Sequence, residues 1–236
     1  MPRDTSDTRR AYTKRIFSVA APVYPLVTRL LSFGRDAAWK RTLLRALPRI
    51  EAGTILDLAC GPGDLARACA SRFPRCRVVG ADLSAEMLSR FPGTMRRSVR
   101  LTLQDMHALA VRTSSVDMCT GGYALRNAPE LPIAVAEIAR VVKPGGVAAF
   151  LDFSRSPNHA LSFFVTALLS FWGSLWGLLL HGNPRIYGYI AESLAQYPDR
   201  IALRRLFAAN GFSETAAWRR MFGMIEIVVF KKGERP

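Results

Sequence analysis

Residues 160–180, ALSFFVTALLSFWGSLWGLLL, contain no charged side chain, and the run is bracketed by Arg155 and His159 before it and by His181 and Arg185 after it. About 20 apolar residues suffice for a helix to cross a bilayer. The run must therefore cross a membrane, lie on one, or pack under protein. The flanks decide. Ahead of it the chain alternates β-rich and helical stretches. Behind it come a helix over about 199–210, closed by Gly211, and two β-rich stretches at 213–219 and 222–231, close enough for a hairpin. Were 160–180 to span a bilayer, those last strands would lie on the far side from the sheet they complete, and unpaired edges would be exposed. The run reads instead as a buried or membrane-lying helix pair, with Gly173 and Gly177 beside Ser170 and Ser174 marking a bend or a close helix contact.

The earlier alternation predicts strands at 54–60, 76–82, 99–104, 116–120 and 147–153. Between them lie helices at 64–71, after Ser84 as N-cap, and from Pro132 to Arg140, while Pro144, Gly145 and Gly146 read as a tight turn. This order specifies a mostly parallel, doubly wound α/β sheet. At 236 residues and 50% hydrophobic composition, the chain supplies one sizeable core and is not of the disordered class. Cys60, Cys69, Cys76 and Cys119 form no CxxC pair and no metal-ligand spacing with histidine, so no metal site is expected.

The first predicted strand ends in LDLACGPGD at 56–64, a glycine turn that lets a ligand approach the backbone. Gly61, Gly63 and Ala66 also satisfy the GxGxxA form of a dinucleotide fingerprint, with Asp82 at the distance of a ribose contact, which keeps a nicotinamide dehydrogenase in play. Two further carboxylates weigh against it. Asp57 would repel a pyrophosphate but suits a cationic ligand, and Asp105, just after the third strand, is placed to accept from an exocyclic amine. Three acids at the ends of three adjacent strands match an ammonium, a ribose diol and an adenine amine, which is S-adenosylmethionine. Taken singly each Asp is an ordinary cap or turn residue.

The chain resembles the class I S-adenosylmethionine-dependent methyltransferases, and within them the ubiquinone/menaquinone biosynthesis C-methyltransferases. The resemblance runs along nearly the whole chain: LSFG at 31–34 with WK at 39–40, LDLACGPGD at 56–64, ALRN at 124–127, VKPGG at 142–146, LDFS at 151–154, YGYIAES at 187–193 and PD at 198–199. It implies a Rossmann-like, seven-stranded, mostly parallel sheet with an antiparallel last strand. Residues 1–50 would be a helical cap, 51–154 the cofactor-binding core, 155–198 an apolar, substrate-covering insertion before strand six, and 199–236 the last helix and closing strands. The implied substrate is a demethylated quinol with a polyprenyl tail. Departures fall on the substrate side. Pro25 and Thr28 stand where the family usually has Asp and Asn, Gly188 replaces the middle Arg of a Tyr-Arg-Tyr piece, and the run at 160–180 is less polar than usual.

Methylating a quinol carbon requires a phenolate and alignment of the ring with the methyl donor. Arg126 cannot be a base, because it stays protonated, but it can stabilise the phenolate. Asp152, Tyr187, Tyr189 and His181 are the candidate proton acceptors, reached through water. The expected catalytic set is Arg126, Asp152 and Tyr187, and the substrate set is Tyr24, Asn127, His181 and Tyr189. The cofactor set is Asp57, Ala59, Gly61, Gly63, Asp82, Leu83, Asp105 and Met106. Asn127 has a competing role as cap of a helix starting near Ala128, and His107 reads as a solvated loop residue.

The formal charge is +15, and 28 of the 33 basic residues are arginine. Arginine suits nucleic acid, acidic lipid or an acidic partner. An RNA methyltransferase is disfavoured because the arginines are scattered, no Asn-Pro-Pro-Tyr-type motif follows strand four, and the insertion is apolar where RNA needs a basic groove. Further alternatives are a methyltransferase acting on oxygen or carbon of another apolar small molecule through the same cofactor site, and a membrane-associated scaffold retaining the cofactor fold without catalysis. With arginines flanking an apolar cover, the charge reads as attraction to an anionic membrane surface. The polar N-terminus lacks the apolar core of a secretory signal, which predicts a cytoplasmic, peripherally membrane-associated protein. A homodimer and a biosynthetic complex are both compatible with it; nucleic acid is not an expected partner.

Overall fold

A computed structural model of the chain describes residues 6–95, 97–156 and 158–234. Residues 1–5 of the expected cap, Pro157 of the expected insertion and residues 235–236 of the closing segment lie outside the described residues. Seven strands form one sheet in the order β3-β2-β1-β4-β5-β7-β6. Here β1 is Thr54–Leu58, β2 Arg77–Asp82, β3 Val99–Leu103, β4 Val116–Gly122, β5 Val142–Phe153, β6 Phe212–Arg220 and β7 Ile225–Lys232. The first five pair in parallel, whereas β7 runs antiparallel to both β5 and β6. The central strands are buried because helices cover both faces, which is why Ile55, Leu56, Leu58, Ala148, Ala149 and Phe150 read as continuous apolar runs. Strand order reverses between β1 and β4, and in such a sheet the crevice at the carboxyl ends of these strands is where ligands bind.

The N-terminal segment forms α1 (Ser6–Ala20), α2 (Tyr24–Leu31) and α3 (Asp36–Ala46). In the core follow α4 (Asp64–Arg72), α5 (Ala85–Ser89) and α6 (Leu131–Val141). Ser84 caps α5, its hydroxyl accepting from the Met87 amide at 3.2 Å. The apolar run forms α7 (His159–His181), capped by Asn158 at the start and ended by Gly182 at φ 63°; α8 (Arg185–Gln196) and α9 (Arg200–Ala209) follow. Gly173 and Gly177 mark a helix contact, and α7 continues through both positions without interruption. A Cβ on Gly173 would lie 2.5 Å from the Tyr187 carbonyl oxygen, and one on Gly177 would lie 2.7 Å from that of Asn183. Gly188 meets α7 from the other side, its would-be Cβ 3.1 Å from Ser174 Oγ, so an arginine there would have to enter the α7–α8 contact.

The insertion leaves and re-enters the sheet at one neck. Arg155 bridges to Asp199, its NH1 donating to the carbonyls of Ala195 at 2.8 Å and Tyr197 at 3.0 Å. The chain then returns as β7 to pair with β5 from Val147↔Lys231 to Phe153↔Ile225. Both flanks of α7 thus belong to one sheet.

Three local expectations are corrected. The glycine turn at 144–146 is absorbed into β5 as an irregularity, with pairing to β4 shifting register between Val116 and Met118. The last strand starts at Ile225, since Met221–Gly223 form a 3₁₀ turn in which Phe222 has φ 55°. Asn127 caps no helix: Ala128, preceding Pro129, is extended at ψ 116°, as a residue before proline tends to be, and α6 begins only at Leu131.

Candidate active site

The chain leaves β1 through two left-handed residues, Ala59 (φ 48°) and Gly61 (φ 55°), and enters α4 from Gly63 (φ 83°). The two glycines differ in role. A Cβ on Gly61 would meet nothing nearer than 4.0 Å, so its bare backbone faces open space, whereas one on Gly63 would strike Phe91 at 2.2 Å. Gly61 lines a cleft together with Ala59, Asp82, Leu83, Asp105 and Met106, while Gly63 and Asp57 do not line it.

Asp82 ties the glycine turn to the end of β2. Its Oδ2 accepts from the Gly61 amide at 2.7 Å and its Oδ1 from the Ser84 amide at 2.8 Å. Burial pushes its carboxyl up, opposed by these amides and that of Leu83. Asp57 is buried behind the turn: Oδ1 accepts from the Thr120 hydroxyl at 2.8 Å, and Oδ2 has no hydrogen-bond partner of ordinary geometry, although the Ala66 amide faces the carboxylate. Burial raises its pKa to about 7, against the pull of Thr120 and the Lys40 charge. A buried acceptor left unsatisfied beneath an open glycine backbone fits a cationic ligand with ribose hydroxyls, so the residues present suit S-adenosylmethionine. Asp105 is already engaged. Its Oδ1 accepts from the His107 amide at 2.9 Å and lies 2.6 Å from His107 Nδ1, and its Oδ2 lies 3.4 Å from Arg10 Nε. Burial would raise its carboxyl, but His107 and Arg10 more than offset this and leave it lowered. His107 is therefore a buried cleft residue and not a solvated one.

Beside the cleft lies an apolar cavity of about 530 Å³, walled by residues such as Val27, Leu31, Trp39, Phe153, Ile186 and Met224. Phe17, Tyr24 and Tyr123 line both spaces and form the partition between them. The cavity wall holds one buried cation among its described residues, Arg126. Its guanidinium stands 5.1 Å over the Phe153 ring, NH1 donates to Ser193 Oγ at 2.8 Å, and Nε lies 3.3 Å from Asp152 Oδ1. Asp152 also accepts from the Arg126 and Phe153 amides, at 3.2 and 2.8 Å. Burial raises its pKa to about 6 even against the Arg126 charge. Asp152 does not line the cavity; it sits behind Arg126 and orients it. Tyr187 and Tyr189 do line it, with Tyr187 Oη 2.8 Å from His181 Nε2 and Tyr189 Oη 3.0 Å from Thr13 Oγ1. His181 stands outside the lining, behind Tyr187. Asn127 lines the cofactor cleft and not the apolar cavity: its Nδ2 donates to the Tyr123 carbonyl at 2.7 Å and its Oδ1 accepts from Arg126 at 3.3 Å.

Sequence reasoning missed two groups. Arg10, Thr13 and Lys14 of α1 line the cleft, and nothing in that polar helix signals a ligand wall until it is folded over the sheet. Lys40 pairs with Asp36 at 2.7 Å and with Asp64 at 3.4 Å, and Asp36 in turn accepts from the Tyr123 hydroxyl at 2.9 Å. The pairing of Lys40 four residues after Asp36 was the available signal.

Comparison with known proteins identifies the family and the fold. The sequence pattern of the ubiE/COQ5 methyltransferase family matches residues 4–231. A demethylmenaquinone methyltransferase of Thermus thermophilus is 35% identical over 201 residues, covering 84% of this chain and 91% of that protein. A ubiquinone/menaquinone biosynthesis C-methyltransferase of Syntrophotalea carbinolica is 33% identical over 204 residues, covering 85% of each. Among solved structures, a SAM-dependent methyltransferase of Thermotoga maritima superimposes with a TM-score of 0.69 over 94% of this chain and 100% of that one, at 14% identity, which speaks for the fold alone.

Proposed function

The chain belongs to the ubiE/COQ5 methyltransferase family and is an S-adenosylmethionine-dependent methyltransferase of quinone biosynthesis; from that premise we propose that it methylates a ring carbon of a demethylated quinol carrying a polyprenyl tail. The observation that carries this reading is Arg126, a buried cation in the wall of an otherwise apolar cavity that meets the cofactor cleft at Phe17, Tyr24 and Tyr123. An apolar tail fills such a cavity favourably, and one cation is what a quinol needs to ionise inside it.

S-adenosylmethionine supplies, when bound, an electrophilic methyl group on a sulfonium. On this reading it is held by the backbone of Ala59, Gly61, Leu83 and Met106, by Asp82 and Asp105, and through the charge of Asp57 beneath the turn. Arg126 stabilises the phenolate oxygen, because a fixed guanidinium in a dry cavity acts more strongly than in water. Asp152 and Ser193 keep that guanidinium aimed. Burial pushes the Tyr187 hydroxyl up, so it stays protonated and can pass a proton from the cavity wall to His181 Nε2 at 2.8 Å. Tyr24 and Tyr189 position the ring, and Asn127 steadies the Tyr123 backbone at the partition.

In this reading residues 1–50 and 155–198 cover a core formed by 51–154 and 199–236. The enzyme works from the cytoplasmic side at an anionic membrane surface, where its substrate dissolves and its charge of +15 is attracted. Incubation of the protein with methyl-labelled donor and a panel of short-chain demethylated quinols tests the proposal. Label attached to ring carbon is the expected product; label on oxygen, or none with any quinol, refutes it.

A further inference from the structure

The apolar cavity opens to the outside, and its mouth is rimmed by phenylalanine. Phe33, Phe171 and Phe222 line the cavity, yet they are 60%, 67% and 99% exposed. Two of them sit in tight left-handed turns. Phe33 has φ 50° and is followed by Gly34 at 75°; Met221 at 49° and Phe222 at 55° are followed by Gly223 at 88°. Left-handed backbone is unfavourable for a bulky L-residue. The fold accepts this strain at two separate loops, and both hold an aromatic ring out at the same opening.

The patch does not stop at the mouth. Outward-facing Phe163, Phe164 and Leu179 of α7 continue it, and α7, long and apolar enough to span a membrane, is only 22% buried along its apolar stretch. A helix in a protein core would be mostly covered. A spanning helix would not have both ends in one sheet, as the Arg155–Asp199 neck and the β5–β7 pairing require. Basic residues flank the patch along the chain: exposed Arg35 follows Phe33 by two positions, half-buried Arg220 precedes Phe222 by two, and exposed Arg185 lies just past α7. An apolar surface with a basic fringe matches a bilayer carrying anionic lipid, not water and not a like-charged second copy.

We propose that the face formed by α7, the Phe33 turn and the Phe222 turn docks into an anionic bilayer, and that the phenylalanine-rimmed mouth is a portal through which an apolar-tailed substrate enters the cavity directly from the lipid phase. The nature of that substrate rests on the quinol reading above; the docking face does not.

Asparagine is well tolerated in left-handed turns, so the double variant Phe33→Asn, Phe222→Asn removes both rings while relieving the backbone. Its melting temperature is expected to equal or exceed that of the parent, and its S-adenosylmethionine affinity to match it. Flotation with phosphatidylcholine vesicles containing phosphatidylglycerol is expected to show binding of the parent and at least tenfold weaker binding of the double variant. The ratio of turnover on a vesicle-embedded long-tail quinol to turnover on a detergent-solubilised short-chain one should fall by a similar factor. Equal vesicle binding by both proteins overturns the proposal, as does a parent that ignores vesicles but forms a dimer that the double variant loses. Methyl transfer to no quinol at all, with the vesicle difference intact, refutes the substrate reading and supports the docking face.

Discussion

The two spaces that meet at Tyr24 and Tyr123 are built by opposite means. The sheet side of the cofactor cleft is held by backbone groups, left-handed Ala59 and Gly61, the amides of Gly61 and Ser84 on Asp82, and the His107 amide on Asp105, while α1 closes it with Arg10, Thr13 and Lys14. The apolar cavity is made of side chains brought from α1, α2, α3, α7, α8 and the turn at Phe222, with one cation in its wall. On the reading proposed above, methyl-donor recognition rests on short segments at the ends of β1, β2 and β3, while substrate recognition depends on how distant helices pack. Of the three positions where the sequence reading found a departure, Thr28 lines the cavity and Gly188 faces α7.

Substitutions should separate the two spaces. The largest effect is expected for Arg126→Ala, which should lower kcat by about 10²–10³-fold, the cost of losing one preorganised group that stabilises developing charge. Cofactor affinity, read by calorimetry, should stay within a few-fold of the parent; a parallel loss of both would make Arg126 a structural residue. Next comes Asp82→Ala, the converse. It removes the acceptor of two backbone amides, worth about 1–3 kcal/mol each when left unsatisfied, and should weaken S-adenosylmethionine binding by about 10²-fold. If turnover at saturating donor fell as steeply as affinity, the division between cleft and cavity would fail.

A packing change should affect the cavity alone. In Gly173→Val the new Cβ would overlap the Tyr187 carbonyl and force α7 from α8, at a cost of about 1–3 kcal/mol in stability by denaturant unfolding. Cofactor affinity of the folded fraction should be unchanged while KM for the quinol rises. The smallest effect is one of pH. With the Asp57 pKa raised to about 7, a cationic ligand favours the ionised form, so affinity should rise about fivefold from pH 6 to pH 7 with release of a proton, as a single ionisation at that pKa requires. Asp57→Asn should flatten the profile. The linkage to stability has the opposite sign. A folded-state pKa above the unfolded value of about 3.9 means the native protein holds the proton longer, so the stability of the parent relative to Asp57→Asn should decline as pH rises from about 4 through 7. Thermal melts across that range check the sign.

Much of the cleft could be read from sequence because its determinants are close together along the chain. Glycines after a strand require a turn with a bare backbone, and an acid at the end of the next strand falls beside it in any parallel sheet. Asp57, however, reads as a direct ligand in sequence and proves to lie beneath the turn, and Gly63 proves to be pressed against Phe91. Spacing locates a residue along the chain but does not say which way a Cβ points. Asn127 failed as a helix cap because Pro129 extends the preceding residue, a signal present in sequence but outweighed by the general preference of asparagine for caps.

The sequence by itself determined the doubly wound sheet and the position of the glycine turn and its acids, since β/α periodicity and turn chemistry are local or nearly local constraints. Only the tertiary structure decided that α1 walls the cleft, that Asp152 stands behind Arg126 and outside the lining of the apolar cavity, and that Phe33 and Phe222, 189 positions apart by their numbers, rim one opening. Those outcomes depend on which helix faces meet across the sheet, and side chains far apart along the chain acquire a common role only when packing brings them to the same cavity.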